Sequence, residues 1–217
     1  MPEFPTALVT GAGRGVGHDI ADELLSDGYT VVLHSRTPQQ SRDAAHALIS
    51  RGADPARIQP VAADFTRLDE VIHLARRVAD EHPVLTLLVN AAVSDATTDG
   101  VTADGNEIEL QVNYLAPALL TRALEVPLRR AAGPRVVTLS TTPHPRGQDL
   151  EWDDIHRHRR YTTIAASNIA LTMLATALAK AGAELDADAT VVPMFGARRR
   201  CGATASRDWR STTGHVR

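Results

Sequence analysis

The sequence predicts a doubly wound α/β fold, a parallel sheet of about six strands with helices on both faces. Three observations carry that prediction. Short β-branched or apolar runs alternate with longer segments of helical period. The runs hold few charged residues, as strands buried on both faces do. A glycine cluster stands where the first run gives way to the first helical segment.

Taken in order, the strand runs are "ALVT" (7–10), "TVVLH" (30–34), "RIQPVAA" (57–63), "LTLLVN" (85–90), "RVVTLS" (135–140) and "ATVVPMF" (189–195). Between them lie "GHDIADELLSDG", "QQSRDAAHALISRG", "RLDEVIHLARRVADEH", "GNEIELQVNYLAPALLTRALEVPLRR" and "AASNIALTMLATALAKAG". Each of these five places apolar residues three and four apart, the spacing of one helix face. A single Rossmann-type domain over 1–195 is expected, followed by a polar, Arg-rich tail over 196–217 with no clear period. That tail is read as a mobile extension, the alternative being a short flap over the site.

Bulk properties exclude several classes. At 217 residues, the chain suits one core. A net charge of −3, with 43% hydrophobic and 23% charged residues, points to neither nucleic acid nor a membrane surface. No apolar run approaches the ~20 residues that span a bilayer. The start "MPEFPTALVTG" lacks the basic and apolar regions of a signal peptide, so the expected location is the cytoplasm. A lone Cys201 allows neither an internal disulfide nor a cysteine metal cluster, and no metal site is expected.

The glycine cluster carries the first chemistry. In "ALVTGAGRGVGHDIADEL", Gly11, Gly13, Gly15 and Gly17 allow a tight turn and close backbone approach. The helix that follows can offer free N–H groups and its positive end to a pyrophosphate. Thr10, Arg14 and Val16 complete this stretch. It closely resembles the fingerprint of the short-chain dehydrogenase/reductase family, and the resemblance runs over residues 6–195 with a leaning toward the retinol-dehydrogenase-like branch.

That resemblance implies an NADP(H) site. After the second strand, Ser35, Arg36 and Thr37 stand where NAD-preferring members carry an acid, and a guanidinium there suits a 2′-phosphate, with Arg14 as a second positive charge. Asp64, with Phe65 beside it, matches the adenine-contacting acid. Asn90 and Ala91 match the Asn-Ala-Gly motif, with Ala92 in place of its glycine. Asn113 matches the asparagine that supports the family's proton relay.

The chemical end departs from the family. Its Ser-Tyr-Lys set moves a proton while the nicotinamide carries a hydride, and a nearby ammonium makes a phenol of pKa ~10 a usable base. Here Ser167, Ala170 and Leu171 fix the helix register, which leaves Ile164 at the tyrosine position and Asn168 at the lysine position. The only lysine, Lys180, lies about 18 Å further along such a helix. Tyr161, one turn upstream, is the substitute phenol to consider. The family's serine position becomes Thr141, behind Ser140.

Between the fifth strand and fifth helix, "TTPHPRGQDLEWDDIHRHRRYTT" supplies further acid–base groups, among them His144, His156, His158, Asp153 and Asp154. The plain alternative is a solvated polar loop. Two histidines two apart, with no third ligand, make a weak metal pattern. Three uses remain open. The first is non-hydride chemistry (cyclisation, dehydration or isomerisation) on a small apolar substrate such as a polyketide-like bacterial secondary metabolite, with NADP(H) bound but not consumed. There Ser140, Thr141 and Tyr161 would polarise a carbonyl, with Asn113 and His144 in support. The second is an NADPH-dependent carbonyl reductase with a substitute proton donor. The third is a catalytically silent partner subunit or NADP(H) sensor. The resemblance also implies a homodimer through the fourth and fifth helices, while a missing seventh strand and last helix argue against the tetramer contact.

Overall fold

The computed structural model describes residues 4–94, 100–141 and 188–194. Its strands are β1 (Thr6–Val9), β2 (Thr30–Ser35), β3 (Ile58–Ala62), β4 (Leu87–Asn90), β5 (Arg135–Thr141) and β6 (Asp188–Met194). All pair in parallel, in the order β3-β2-β1-β4-β5-β6. The order reverses direction between β1 and β4, so the crevice beyond their carboxyl ends is the switch point at which such sheets bind ligands.

Helices α1 (Gly15–Ser26), α2 (Pro38–Ser50) and α3 (Leu68–Glu81) follow the first three strands. Strand alternation decides which helix covers which face. On one face Leu8, Val32 and Leu88 pack with Phe65 and with Val71, Leu74 and Val78 of α3. On the other, Ala7, Val9, Val31, Leu33 and Val89 meet Ala21, Leu24 and Leu25 of α1 and Ala44 and Leu48 of α2. Leu8, Val9, Val31, Val32 and Leu33 are wholly buried, each worth about 1.5–3 kcal/mol of apolar burial. The two-sided sheet read from the strand composition is therefore present.

One expected helix is divided. The segment over 105–130 folds as α4 (Ile108–Leu110), a π-helical stretch (Gln111–Leu115), α5 (Ala116–Ala123) and α6 (Glu125–Arg129). Proline explains both breaks. Pro117 has no N–H to give the carbonyl of Asn113, and its ring crowds that carbonyl, so the turn before it widens. Pro127 does the same to the carbonyl of Ala123, and the chain leaves helical geometry at Leu124.

The start of that segment is tied down by buried polar groups. Gln111, with no exposed surface, accepts at Oε1 from Thr102 Oγ1 (2.6 Å) and Asn106 Nδ2 (2.9 Å). Its Nε2 donates to the Phe65 carbonyl (3.2 Å) and to Asp104 Oδ2 (2.8 Å). Asp104 Oδ2 also accepts the Leu68 amide at 2.9 Å, capping α3 from 36 residues away. The loop before α4 is thus fastened to the turn after β3. The fifth helical segment expected at 165–182 and the tail over 196–217 lie outside the described residues.

Candidate functional site

The site assembles at the carboxyl ends of β1, β2, β3 and β4. The turn after β1 starts at Gly11, whose φ of 68° suits glycine. A Cβ there would lie 2.6–2.8 Å from backbone atoms of Ala91 and Ala92, so the two strand ends could not approach. A Cβ on Gly17 would lie 2.6 Å from the Gly11 carbonyl oxygen, so the first turn of α1 packs on the loop that precedes it. Gly15, at φ 63°, has no atom of the described residues within 4 Å of where a Cβ would point.

The N-terminus of α1 has no side-chain cap among the described residues. Arg14 holds the capping position in extended conformation, makes no side-chain cap, and no acidic residue occupies the first turn. The contrast with α3 is informative: its first turn carries Asp69 and Glu70, both paired with Arg67. This twelve-residue helix has no side-chain cap among the described residues and opens beside a left-handed glycine, an arrangement of the kind that suits an anion.

Several expected site residues turn out to hold the frame. Thr10 has no exposed surface, and its Oγ1 accepts the amides of Ala91 (3.0 Å) and Ala92 (3.1 Å) while donating to the Val89 carbonyl (3.3 Å). Asn90 is buried, and its Nδ2 donates to Thr121 Oγ1 (3.3 Å) and Thr138 Oγ1 (3.4 Å), which joins β4 to α5 and β5. Phe65 belongs to the core. It is 3% exposed, and its ring stacks on His34 at 4.6 Å. Its carbonyl is engaged by Gln111.

The second strand supplies the polar end. Arg36 and Arg14 are exposed. Ser35 is buried, its Oγ has no hydrogen-bond partner among the described residues, and a Cβ on Gly13 would stand 2.7 Å from it. An orphan hydroxyl adjacent in sequence to an exposed guanidinium is a donor set suited to a phosphate ester. Thr37 accepts the Gln40 amide at 3.3 Å and, with Pro38 behind it, starts α2. Asp64 is half-buried, and its Oδ1 accepts from the Thr66 amide (3.0 Å) and hydroxyl (2.8 Å).

The remaining candidates divide by position. Asn113 sits in the π-helical stretch, buried, with Oδ1 accepting the Ser94 amide (2.7 Å) and Nδ2 donating to the Ser94 carbonyl (3.2 Å). It clamps the chain that leaves β4 above the crevice. Ser140 and Thr141 end β5, level with Pro193 and Met194 of β6. Tyr161, His144, His156, His158, Asp153, Asp154, Ile164 and Asn168 lie outside the described residues. Among the described residues no group of three His, Cys, Asp or Glu is placed to hold a metal ion, and no helix is long and apolar enough to cross a membrane.

One residue of the site escaped the sequence reading. His34, at the end of β2, is 2% exposed. The Gly11 amide donates to its Nδ1 at 3.3 Å, and its Nε2 donates to the Ala63 carbonyl at 3.0 Å. Burial lowers its pKa from 6.5 to about 4, against the opposing pull of the Ala63 bond and the Asp64 charge. The signal in the sequence was its place two residues after Val32, on an inward face, where an imidazole needs partners for both nitrogens.

Comparison with known proteins adds the lineage. The family profile described as short chain dehydrogenase matches residues 5–147. Mouse "Retinol dehydrogenase 13" is 33% identical over 165 residues, covering 74% of this chain and 48% of its own length. A Streptomyces protein (strain C5) carrying the name "Putative daunorubicin C-13 ketoreductase DnrU" is 33% identical over 179 residues, covering 81% of this chain and 60% of its own. The chain thus spans about half the length of the curated relatives it matches. Among solved structures, a metagenomic short-chain oxidoreductase in complex with NADP superimposes with a TM-score of 0.70 at 25% identity, over 89% of this chain and 82% of the other. The Pseudomonas aeruginosa RhlG/NADP complex gives 0.71 at 25% identity, over 89% and 74%.

Proposed function

The chain belongs to the short-chain dehydrogenase/reductase family, and from that premise we propose that it binds NADP(H) and works on its substrate by chemistry other than Ser-Tyr-Lys hydride transfer. The observation that carries the cofactor reading is the N-terminus of α1 beside Gly15, without a side-chain cap among the described residues, with Arg36 and the orphan Ser35 hydroxyl at the end of β2. The first would hold a pyrophosphate and the second a 2′-phosphate. Two structural neighbours are NADP complexes, which supports the same cofactor here.

A bound NADP(H) would supply a hydride to a carbonyl or take one from the corresponding alcohol. Ile164 and Asn168 provide neither the phenol nor the ammonium that the family uses for the accompanying proton. Cyclisation, dehydration or isomerisation asks less: a carbonyl polarised by hydroxyls and a proton moved at neutral pH. Ser140, Thr141 and Tyr161 are the hydroxyls assigned to polarisation and His144 to the proton, with Asn113 fixing the loop at Ser94. A small, mostly apolar, polyketide-like substrate fits the Streptomyces relative's name. A cytoplasmic homodimer, packed through the Asn113 segment and residues 165–182, belongs to the same reading.

A second reading is a carbonyl reductase whose proton comes from Tyr161 or water. The ketoreductase name of the Streptomyces relative favours it. Loss of a general acid removes only ~10²–10⁴-fold in rate, so hydride transfer would be slowed and not abolished.

Calorimetric titration with NADPH and NADH decides the cofactor half. NADPH binding that weakens about tenfold or more in Arg36→Ala is the expected result, and no binding of either nucleotide overturns it. Incubation with polyketide-like ketones then decides the chemistry. A product of unchanged oxidation state, formed without loss of NADPH, supports the first reading. NADPH loss matched to alcohol formation supports the second, and tight binding with no turnover leaves a sensor or partner subunit.

A further inference from the structure

We propose that His34 is the positioning residue of the phosphate loop, fixing Gly11 through Nδ1 and thereby setting the geometry in which the loop meets a dinucleotide. This rests on the NADP(H) reading for its consequence, though the loop itself can be tested without nucleotide. Three segments meet at one imidazole. Nδ1 accepts the Gly11 amide at 3.3 Å, Nε2 donates to the Ala63 carbonyl at 3.0 Å, and the ring face stacks on Phe65 at 4.6 Å and 19°. Gly11 opens the loop after β1, Ala63 and Phe65 flank Asp64 after β3, and His34 itself precedes Ser35 and Arg36. A backbone bond from Ala12 to the His34 carbonyl (2.8 Å) and one from Ala63 to the Ser35 carbonyl (3.2 Å) hold the same three segments from the main chain.

The imidazole's contribution differs in kind from those backbone bonds. Gly11 lies at φ 68°, outside the regular strand ladder, and a strand neighbour does not supply its acceptor. A neutral imidazole with the proton on Nε2 satisfies both ends at once, since a carbonyl can only accept and an amide can only donate. The tautomer is therefore fixed by its partners. With the ring 2% exposed, water has little access to replace either bond. The position of Gly11 in turn places Gly15 and the N-terminus of α1, because Gly17 packs directly on the Gly11 carbonyl.

The test separates the two ring nitrogens. His34→Asn sets an amide oxygen close to where Nδ1 stands and keeps an acceptor for Gly11. His34→Gln reaches the Nε2 position and keeps a donor for Ala63 while losing the Gly11 acceptor. His34→Leu loses both. Amide hydrogen exchange over residues 10–17, measured without nucleotide, is expected to stay protected in the Asn variant and to accelerate about tenfold in the Gln and Leu variants. NADPH affinity should follow the same ranking, about tenfold weaker for Gln and Leu than for Asn. Should the Leu variant fail to fold, the Asn-against-Gln comparison still decides. Equal loop protection in Asn and Gln overturns the proposal. If the unmodified protein binds no NADPH, the cofactor reading fails, and the exchange ranking alone supports or overturns His34 as the loop's anchor.

Discussion

The hydroxyl of Thr10 accepts two consecutive amides, those of Ala91 at 3.0 Å and Ala92 at 3.1 Å, and so latches the end of β1 to the chain leaving β4. These strands lie side by side at the switch point of the sheet. The latch sets the floor of the crevice. It leaves room only for glycine at position 11, whose Cβ would lie within 2.6 Å of Ala92.

Replacing Thr10 by valine keeps the shape and removes all three bonds of Oγ1. Two amides lose their acceptor, which costs about 1–3 kcal/mol. Urea denaturation should show a lower midpoint with an unchanged slope. An unchanged midpoint would mean that the amides of Ala91 and Ala92 find other acceptors and that the latch is unimportant.

Gly17→Ala sets two effects against each other. Helix propensity favours alanine by about 1 kcal/mol. Against it, the new Cβ would lie 2.6 Å from the Gly11 carbonyl oxygen and 2.9 Å from its carbon, both backbone atoms that cannot rotate away. Steric overlap should win, so thermal unfolding is expected at a lower temperature than in the parent, with weakened NADPH binding. A raised melting temperature would show that the loop yields freely.

His34 predicts an acid limb in the stability profile. Its pKa is 6.5 when unfolded and about 4 in the fold, lowered by desolvation. Between these values the unfolded chain binds the extra proton, so stability falls as pH drops from about 6.5 toward about 4, by roughly 3 kcal/mol in total. Above 6.5 this contribution is complete and constant. Denaturant midpoints measured across that range should flatten in His34→Asn. A slope identical in both proteins would assign the acid limb to other groups.

The double replacement Ile164→Tyr with Asn168→Lys introduces a phenol and an ammonium where the family resemblance implies them. If the rest of the pocket keeps reductase geometry, NADPH-dependent reduction of a ketone should rise, by as much as ~10²–10⁴-fold over the parent. No gain in the double variant, with NADPH binding intact, would show that the pocket itself has been reshaped.

Among the described residues the order of strands and helices is legible because it rests on local patterns: β-branched runs with few charges, three- and four-residue apolar spacing, and glycines between β1 and α1. Each survives in any context, since buried strands and amphipathic helices exclude charge from the same positions. The division of the 105–130 segment was legible in principle. The apolar period continues through Pro117 and Pro127 and so masks the two missing N–H groups.

What the sequence by itself determined is the family framework and the glycine turn between β1 and α1. What only the tertiary structure decided is which polar side chains face the crevice and which hold it together. Thr10, Asn90 and Asn113 turn to backbone and core partners, Phe65 goes inward, and His34 joins residues 23 and 29 positions away. The physical reason is that a motif fixes residue type and spacing along the chain. Burial and hydrogen-bond partnership, by contrast, depend on segments far apart in sequence that meet only when the sheet closes.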